Sequence, residues 1–253
     1  MNGDPTPPAP APPEPDPVLP ETPADAVAQL QRERIVIEGR EFLIDRPADS
    51  DRLLDHPALA EAMARDDNMP YWADLWPAAR MLAKWIVKQR WPAGLHALEV
   101  GCGLGLVGVA ALSVGVRVTF SDYDATAVRF AAANARLNGL TNFDTLQMDW
   151  RRPPEGLRVR VVLASDLIYE LRNVAPLVAL VKKVLAPDGV CLLTDQDRVP
   201  SHVLRETLAA EGLPFTTQML RAGEPGGRRL KGTLYRITQP GGADPLLTVS
   251  SEK

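Results

Sequence analysis

From Leu95 to Thr238, short runs rich in β-branched and aliphatic residues alternate with stretches whose apolar residues recur at helical spacing. No other feature of the chain constrains its fold as tightly, because strand–helix–strand units bury their strands on both faces and assemble into a mostly parallel sheet between helical layers. Candidate strands end near Val100, Ser121, Met148, Ser165 and Thr194, and candidate helices cover Leu106–Ser113, Ala125–Asn138, Val174–Leu185 and Pro200–Ala210. Two further strand-like runs, Pro214–Leu220 and Thr233–Thr238, flank a Gly223–Gly227 loop and read as an antiparallel pair closing the sheet. The expectation is an α/β, Rossmann-like, doubly wound sheet of seven strands, mostly parallel with a C-terminal antiparallel hairpin.

Upstream, Ile35-Val36-Ile37 and Phe42-Leu43-Ile44 flank a Glu-Gly-Arg turn, which predicts a short hairpin. Arg52–Arg65 and Trp76–Lys88 carry apolar residues at helical spacing, the second with Pro77 near its first turn, where a missing N–H costs little. These segments predict a small N-terminal hairpin and helical cover over residues 25–92, ahead of a core at residues 93–240. Residues 1–24 repeat proline at short intervals, which opposes helix and sheet pairing, so a disordered tail is expected there. Residues 241–253 are expected to form a flexible C-terminal tail.

Composition narrows the function classes. A formal charge of −4 supplies no basic field for a phosphate backbone or an anionic lipid surface, so neither nucleic acid nor membrane is an expected partner. The start of the chain lacks a basic segment followed by an apolar core, and no apolar run reaches membrane-spanning length. The two cysteines, Cys102 and Cys191, lie in apolar or glycine-rich surroundings and read as buried thiols of a reducing, cytoplasmic compartment. His56, His96 and His202 are far apart, with no metal-ligand spacing. Lys182-Lys183, Arg228-Arg229 and Arg151-Arg152 read as solvated faces, and a monomer is the expected state.

In an open parallel sheet the ligand crevice lies at the carboxyl ends of the strands, so those ends carry the chemistry. The first long strand runs into Glu99-Val100-Gly101-Cys102-Gly103-Leu104-Gly105, and glycines at alternate positions let the backbone turn sharply and approach a ligand closely. A tight strand-to-helix turn alone would also use them. Asp122 follows the second strand at the spacing where a carboxylate can accept both ribose hydroxyls of an adenosine cofactor, the alternative being a helix cap, for which Asp124 is better placed. Asp149-Trp150 after the third strand offers an acceptor and an aromatic surface for adenine, or else a turn aspartate beside a core tryptophan. After the fourth strand stands Ser165-Asp166-Leu167-Ile168-Tyr169, again with helix capping as the plain alternative for Asp166.

Glu99, Asp122, Asp149 and Asp166 together form an acidic rim, with no lysine or arginine in these short motifs. Such a rim suits S-adenosylmethionine, whose sulfonium and ammonium are cationic, and would repel the pyrophosphate of a nicotinamide or flavin dinucleotide. Gly103-x-Gly105-x-x-Gly108 does satisfy the dinucleotide fingerprint, but by spacing alone.

The segment Leu98–Gly105 with Asp122, Asp149-Trp150 and Asp166-x-x-Tyr169 resembles the class I methyltransferases, especially the seven-strand protein-lysine methyltransferases. Pro70-Tyr71-Trp72-Ala73-Asp74-Leu75-Trp76-Pro77 is similar to the tryptophan-bearing entry segment of that group, which includes enzymes acting on the β subunit of electron-transfer flavoprotein. Asp195-Gln196-Asp197-Arg198 matches only loosely the Asp-x-x-Arg stretch of the flavoprotein-directed enzymes. The resemblance implies that the loop of Gly101, Gly103 and Gly105 holds the methionine portion of the cofactor, with Asp122 on ribose and Asp149 on adenine. Trp76, Glu99, Tyr123, Trp150 and Ser165 are counted with them as cofactor contacts. It places Asp166 and Tyr169 at the substrate side, as catalytic residues toward a protein lysine or a small-molecule acceptor. A small-molecule methyltransferase, an NAD-dependent oxidoreductase and a non-catalytic scaffold stay open as other readings. Trp72 and Trp76 could equally serve packing.

Overall fold

The computed structural model describes residues 21–57, 59, 69–198, 200–223 and 229–246. Strands β1 (Leu30–Ile37) and β2 (Arg40–Pro47) form the N-terminal hairpin. Its two-residue turn places both Glu38 (φ 49°) and Gly39 (φ 80°) in the left-handed region, the geometry whose twist matches antiparallel strands. Ile35, Ile37, Phe42 and Ile44 point inward and are buried.

Helix α1 (Asp51–Leu54) follows, and α2 (Pro77–Val87) starts with Pro77 at its first position, as the sequence suggests. The rest of the helix expected over Arg52–Arg65 falls largely outside the described residues. The core then runs through β3 (His96–Val100), α3 (Leu106–Leu112), β4 (Arg117–Asp122), α4 (Ala125–Leu137), β5 (Phe143–Gln147) and β6 (Val159–Ser165). It continues with α5 (Val174–Val184), β7 (Leu185–Asp195), α6 (Pro200–Ala210), β8 (Phe215–Ala222) and β9 (Leu230–Thr238). The seven strands from β3 to β9 form one sheet of order β5-β4-β3-β6-β7-β9-β8, antiparallel only where β9 meets β7 and β8. The expected doubly wound sheet with a closing hairpin is therefore present. The hairpin is longer than its apolar runs suggest, because pairing extends to Ala222 and Leu230. Residues 224–228 of the expected glycine loop lie outside the described residues.

Alternating side chains on β3 send Ala97 into one apolar layer and Leu98 into the other, so helices cover both faces. From β3 the chain moves outward through β4 and β5 and then returns to β6 on the opposite side, which opens a crevice at the carboxyl ends of β3, β4 and β6. Asn134 of α4 and Asn138, which caps its C-terminus, fasten the hairpin. Asn138 exchanges bonds with Leu43 (Oδ1 from N–H 2.9 Å, Nδ2 to O 2.7 Å), and Asn134 does the same with Asp45 (2.8 and 3.0 Å). These side chains thus satisfy backbone groups of β2 as a neighbouring strand would.

Glu21 and Thr22, inside the stretch that composition assigns to the tail, are tied to the core, Glu21 through an ion pair with Arg129. Thr22 is buried; its N–H and hydroxyl donate to Asp124 (3.1 and 2.6 Å), and its hydroxyl accepts from Trp72 Nε1 (3.2 Å). Among the described residues no helix is long and apolar enough to cross a membrane.

Candidate active site

The chain leaves β3 through Gly101, Gly103 and Gly105, with φ of 60°, 50° and 82°, a run of left-handed residues that side chains oppose. Gly105 is the most constrained. A Cβ there would stand 2.7 Å from the Cβ and 2.8 Å from the Cα of Ala131, so the loop can lie on α4 only without one. Gly108 has a different cause: its Cβ would meet Phe120 at 2.3 Å and Glu99 Oε2 at 2.4 Å. The dinucleotide-like spacing thus arises from helix packing against a carboxylate, with Gly108 N–H donating to Glu99 Oε2 at 2.9 Å. Burial pushes the Glu99 carboxyl well above its usual range.

Of the two acids after β4, Asp124 takes the capping role that its position suggests. Asp124 caps α4, accepting the Thr126 N–H at 2.7 Å. Asp122 instead braces the glycine loop: Oδ2 accepts from the Gly103 N–H (2.9 Å) and Oδ1 from the Asp124 N–H (3.1 Å). Burial pushes the Asp122 carboxyl up to about 6, against the pull of these backbone bonds. A carboxylate has room for about four hydrogen bonds, so Asp122 retains acceptor capacity toward the crevice.

The other two acids correct the picture of an uncompensated rim. Asp149 is buried, and its Oδ1 accepts from both the N–H (2.9 Å) and Nε (2.8 Å) of Arg151. Arg151, read as part of a solvated face, also stands over the Tyr123 ring, 5.5 Å from its centroid. Asp166 is 5% exposed and takes a left-handed φ of 58°, unusual for a non-glycine residue. Its Oδ2 accepts from Gln196 Nε2 at 2.7 Å and its Oδ1 from the Arg198 guanidinium. Burial raises the Asp166 carboxyl, and Arg198 works against that rise. Among the described residues no ion pair joins Glu99 or Asp122, so no cation balances either acid when it ionises.

Three aromatic rings line the same cavity as Asp166. Tyr71 meets Tyr169 at 5.0 Å and 71°, and Trp76 at 5.9 Å and 79°, so successive rings are close to perpendicular. Trp76 is fixed by donating Nε1 to the Tyr71 carbonyl (2.8 Å), and burial pushes the Tyr169 phenol up to about 12. Trp72 and Trp76 both line the cavity, but Trp72 is buried and packs against Phe130.

One cavity of about 570 Å³ joins these groups. Trp76, Glu99, Gly101, Gly103, Gly105, Asp122, Tyr123, Asp149, Trp150, Ser165, Asp166 and Tyr169 all line it. Tyr71, Asp74, Arg151 and Arg198 line it too and were not singled out from sequence. Tyr71 and Asp74 lie inside the tryptophan-bearing segment, and Arg198 ends the Asp-x-x-Arg stretch, so signals existed for three of the four.

A protein family described as lysine methyltransferases matches residues 65–206. The chain belongs to that family. It is 25% identical over 227 residues to the protein-lysine N-methyltransferase rrg1 of Schizosaccharomyces pombe, covering 82% of this chain and 68% of that one. It is 30% identical over 161 residues to a ribosomal protein L11 methyltransferase of Shewanella woodyi, covering 63% of this chain. The chain spans half the length of that L11 methyltransferase. Two solved structures share the fold. One is the N-methyltransferase NodS of Bradyrhizobium japonicum in complex with S-adenosyl-L-homocysteine (TM-score 0.52, 16% identity, 72% of this chain and 97% of that one). The other is the ribosomal protein L11 methylase of Lactobacillus delbrueckii (TM-score 0.51, 20% identity, 64% and 79%). The class I methyltransferase fold expected for this lysine methyltransferase family member is borne out.

Proposed function

We propose that this family member transfers a methyl group from S-adenosylmethionine to the side-chain amine of a protein lysine. The observation that carries the reading is the closure of the left-handed glycine loop onto Asp122, a carboxylate that has no cation partner among the described residues and lines a 570 Å³ cavity. This cradle fits the methyl donor in three respects. Its volume is in the range of small-molecule sites. Its left-handed glycines line the cavity with backbone alone. Its unbalanced carboxylates favour a cation and disfavour a pyrophosphate.

Residues that would hold the donor are the Gly101–Gly105 loop at the methionine portion, Asp122 at ribose, and Asp149 with Tyr123 and Trp150 at adenine. When bound, S-adenosylmethionine supplies a methyl group on a sulfonium, a leaving group already activated. The chain's own task is therefore alignment and removal of water. Asp166 accepts a hydrogen bond from the incoming amine and directs its lone pair into the cavity. Tyr71, Trp76 and Tyr169 wall the entry, where aromatic faces attract a charged or methylated amine by about 0.5–2 kcal/mol. Tyr169, a phenol raised by burial, stays neutral throughout.

The acceptor is taken to be a protein in the cytoplasm, since both cysteines are free and buried. A nucleic-acid acceptor is disfavoured by the net charge of −4, and a monomer is the proposed working state. The test uses tritiated S-adenosylmethionine with lysate from cells lacking this chain, followed by mass spectrometry of labelled species. Label on protein lysine supports the reading, and label confined to metabolites overturns it. Calorimetry with S-adenosylmethionine and NADH tests the cofactor independently, and binding of NADH alone would favour the oxidoreductase.

A further inference from the structure

The carboxylate proposed to receive the amine is already occupied. Both Asp166 oxygens are engaged by the short segment that follows β7, one by Gln196 and one by the Arg198 guanidinium. Asp166 is nearly buried whereas the Arg198 side chain is 35% exposed and lines the cavity, so the cation lies on the side from which an acceptor enters. Holding it there involves two left-handed non-glycine residues, Asp166 (φ 58°) and Asp197 (φ 55°), a backbone strain that the surrounding bonds sustain.

Chemistry gives this arrangement a purpose. A lysine amine has an ordinary pKa near 10.4, so only about one in a thousand is neutral at physiological pH, and only the neutral form has a lone pair to attack with. A bare carboxylate beside it would make matters worse, because an opposite charge within about 4–6 Å stabilises the ammonium. A carboxylate already balanced by a guanidinium keeps its hydrogen-bond acceptors without that penalty. Two of about four acceptor positions on Asp166 remain for an N–H.

We infer that Arg198 and Gln196 are positioning residues: by clamping both oxygens of Asp166 they fix its orientation and offset its charge, so that the acceptor amine sheds its proton before transfer. The proton passes to bulk water, and Asp166 then accepts an N–H of the neutral amine. Among the other charged or titratable groups around Asp166, Asp195 opposes this balance by its own negative charge, which Arg198 must also offset. On β7, Asp195 is fully buried, and its Oδ2 is engaged by the Ser201 hydroxyl and the Arg198 N–H. Asp197 is 3.9 Å from Arg205, Glu170 pairs with Arg172 at 2.5 Å, the Tyr169 phenol is neutral, and Asp122 lies at the glycine loop, bonded to the Gly103 N–H.

This inference rests on the lysine-methylation reading, and the test separates the two. The probe is the protein most strongly labelled in the lysate assay, purified and used at saturating concentration between pH 7 and 10. For Arg198→Gln, the acid limb of kcat is expected to move up by about one pH unit, since an unbalanced Asp166 now holds the ammonium. At pH 7 this appears as an approximately tenfold fall in kcat, with KM falling as well because the ammonium is held more tightly. Arg198→Lys keeps the charge and should leave the limb in place while lowering kcat at all pH values. Gln196→Ala should likewise lower kcat without moving the limb. Arg198→Met serves in the same test if the glutamine variant does not fold, and calorimetry with S-adenosylhomocysteine should give unchanged affinity for each variant. An unmoved limb in the charge-removing variant, or a KM that rises while kcat falls equally at every pH, overturns the inference alone. Failure of the wild-type protein to label any protein lysine overturns the functional reading with it.

Discussion

Replacing Asp122 with asparagine should separate the cost of a buried charge from its use. The carboxyl sits at about 6 in the folded protein, against an ordinary 3.8. At about 1.4 kcal/mol per pH unit, folding with Asp122 ionised therefore costs up to about 3 kcal/mol at neutral pH. The sign follows from proton uptake: the folded state binds more protons between about pH 4 and 6, so this destabilisation is absent below that window and complete above it. Asparagine removes the cost but turns an amide N–H₂ toward one of the two backbone N–H donors, Gly103 or Asp124, and an opposed donor costs about 1–3 kcal/mol. The two effects nearly cancel, so urea unfolding at pH 7 should place Asp122→Asn within about 1–2 kcal/mol of wild type. Binding should not be spared. Loss of charge-assisted bonds, about 1.5–3 kcal/mol, weakens calorimetric affinity for S-adenosylhomocysteine by about 10- to 150-fold. In wild type that affinity should fall as pH drops below about 6, and the variant should lack this dependence. An unchanged dissociation constant, or a loss of affinity that only tracks a collapse in stability, would refute the reasoning.

Gly105→Ala combines a left-handed backbone with a Cβ 2.8 Å from the Ala131 Cα, and should cost at least about 2–4 kcal/mol; denaturation showing a loss under about 0.5 would contradict it. Thr22→Val removes the hydroxyl that bonds both Asp124 and Trp72 and should destabilise by about 1–3 kcal/mol, so an unchanged unfolding midpoint would mean that residues 21–24 contribute nothing. The Tyr169 phenol should ionise only near pH 12, so the absorbance titration of Tyr169→Phe should match wild type up to about pH 11 and fall short above it. A difference near pH 10 would place that ring in water.

Elements with a local cause were legible in the sequence. The alternation of runs gave the sheet, Pro77 marked the start of α2, and Asp124 was the better-placed cap of the two acids after β4. The glycine loop was legible because left-handed backbone leaves a compositional trace at Gly101, Gly103 and Gly105. Features made by distant partners left no such trace. Asp166 and Arg198 are 32 residues apart, and their pairing depends on a left-handed aspartate that no local pattern announces. Thr22 and Asp124 are separated by 102 residues, so proline content alone could not reveal that Thr22 packs against the core. Arg151 misled for the opposite reason: its partner Asp149 is only two residues away, and a basic pair at a strand end resembles any solvated turn.

The most direct measurement is a crystal structure with S-adenosylhomocysteine. The ribose hydroxyls are expected on Asp122, the homocysteine portion along Gly101–Gly105, and the sulfur facing Asp166. A ligand bound elsewhere, or one seated in this cavity with Asp122 still bonded only to its own backbone, would contradict the assignment of the site.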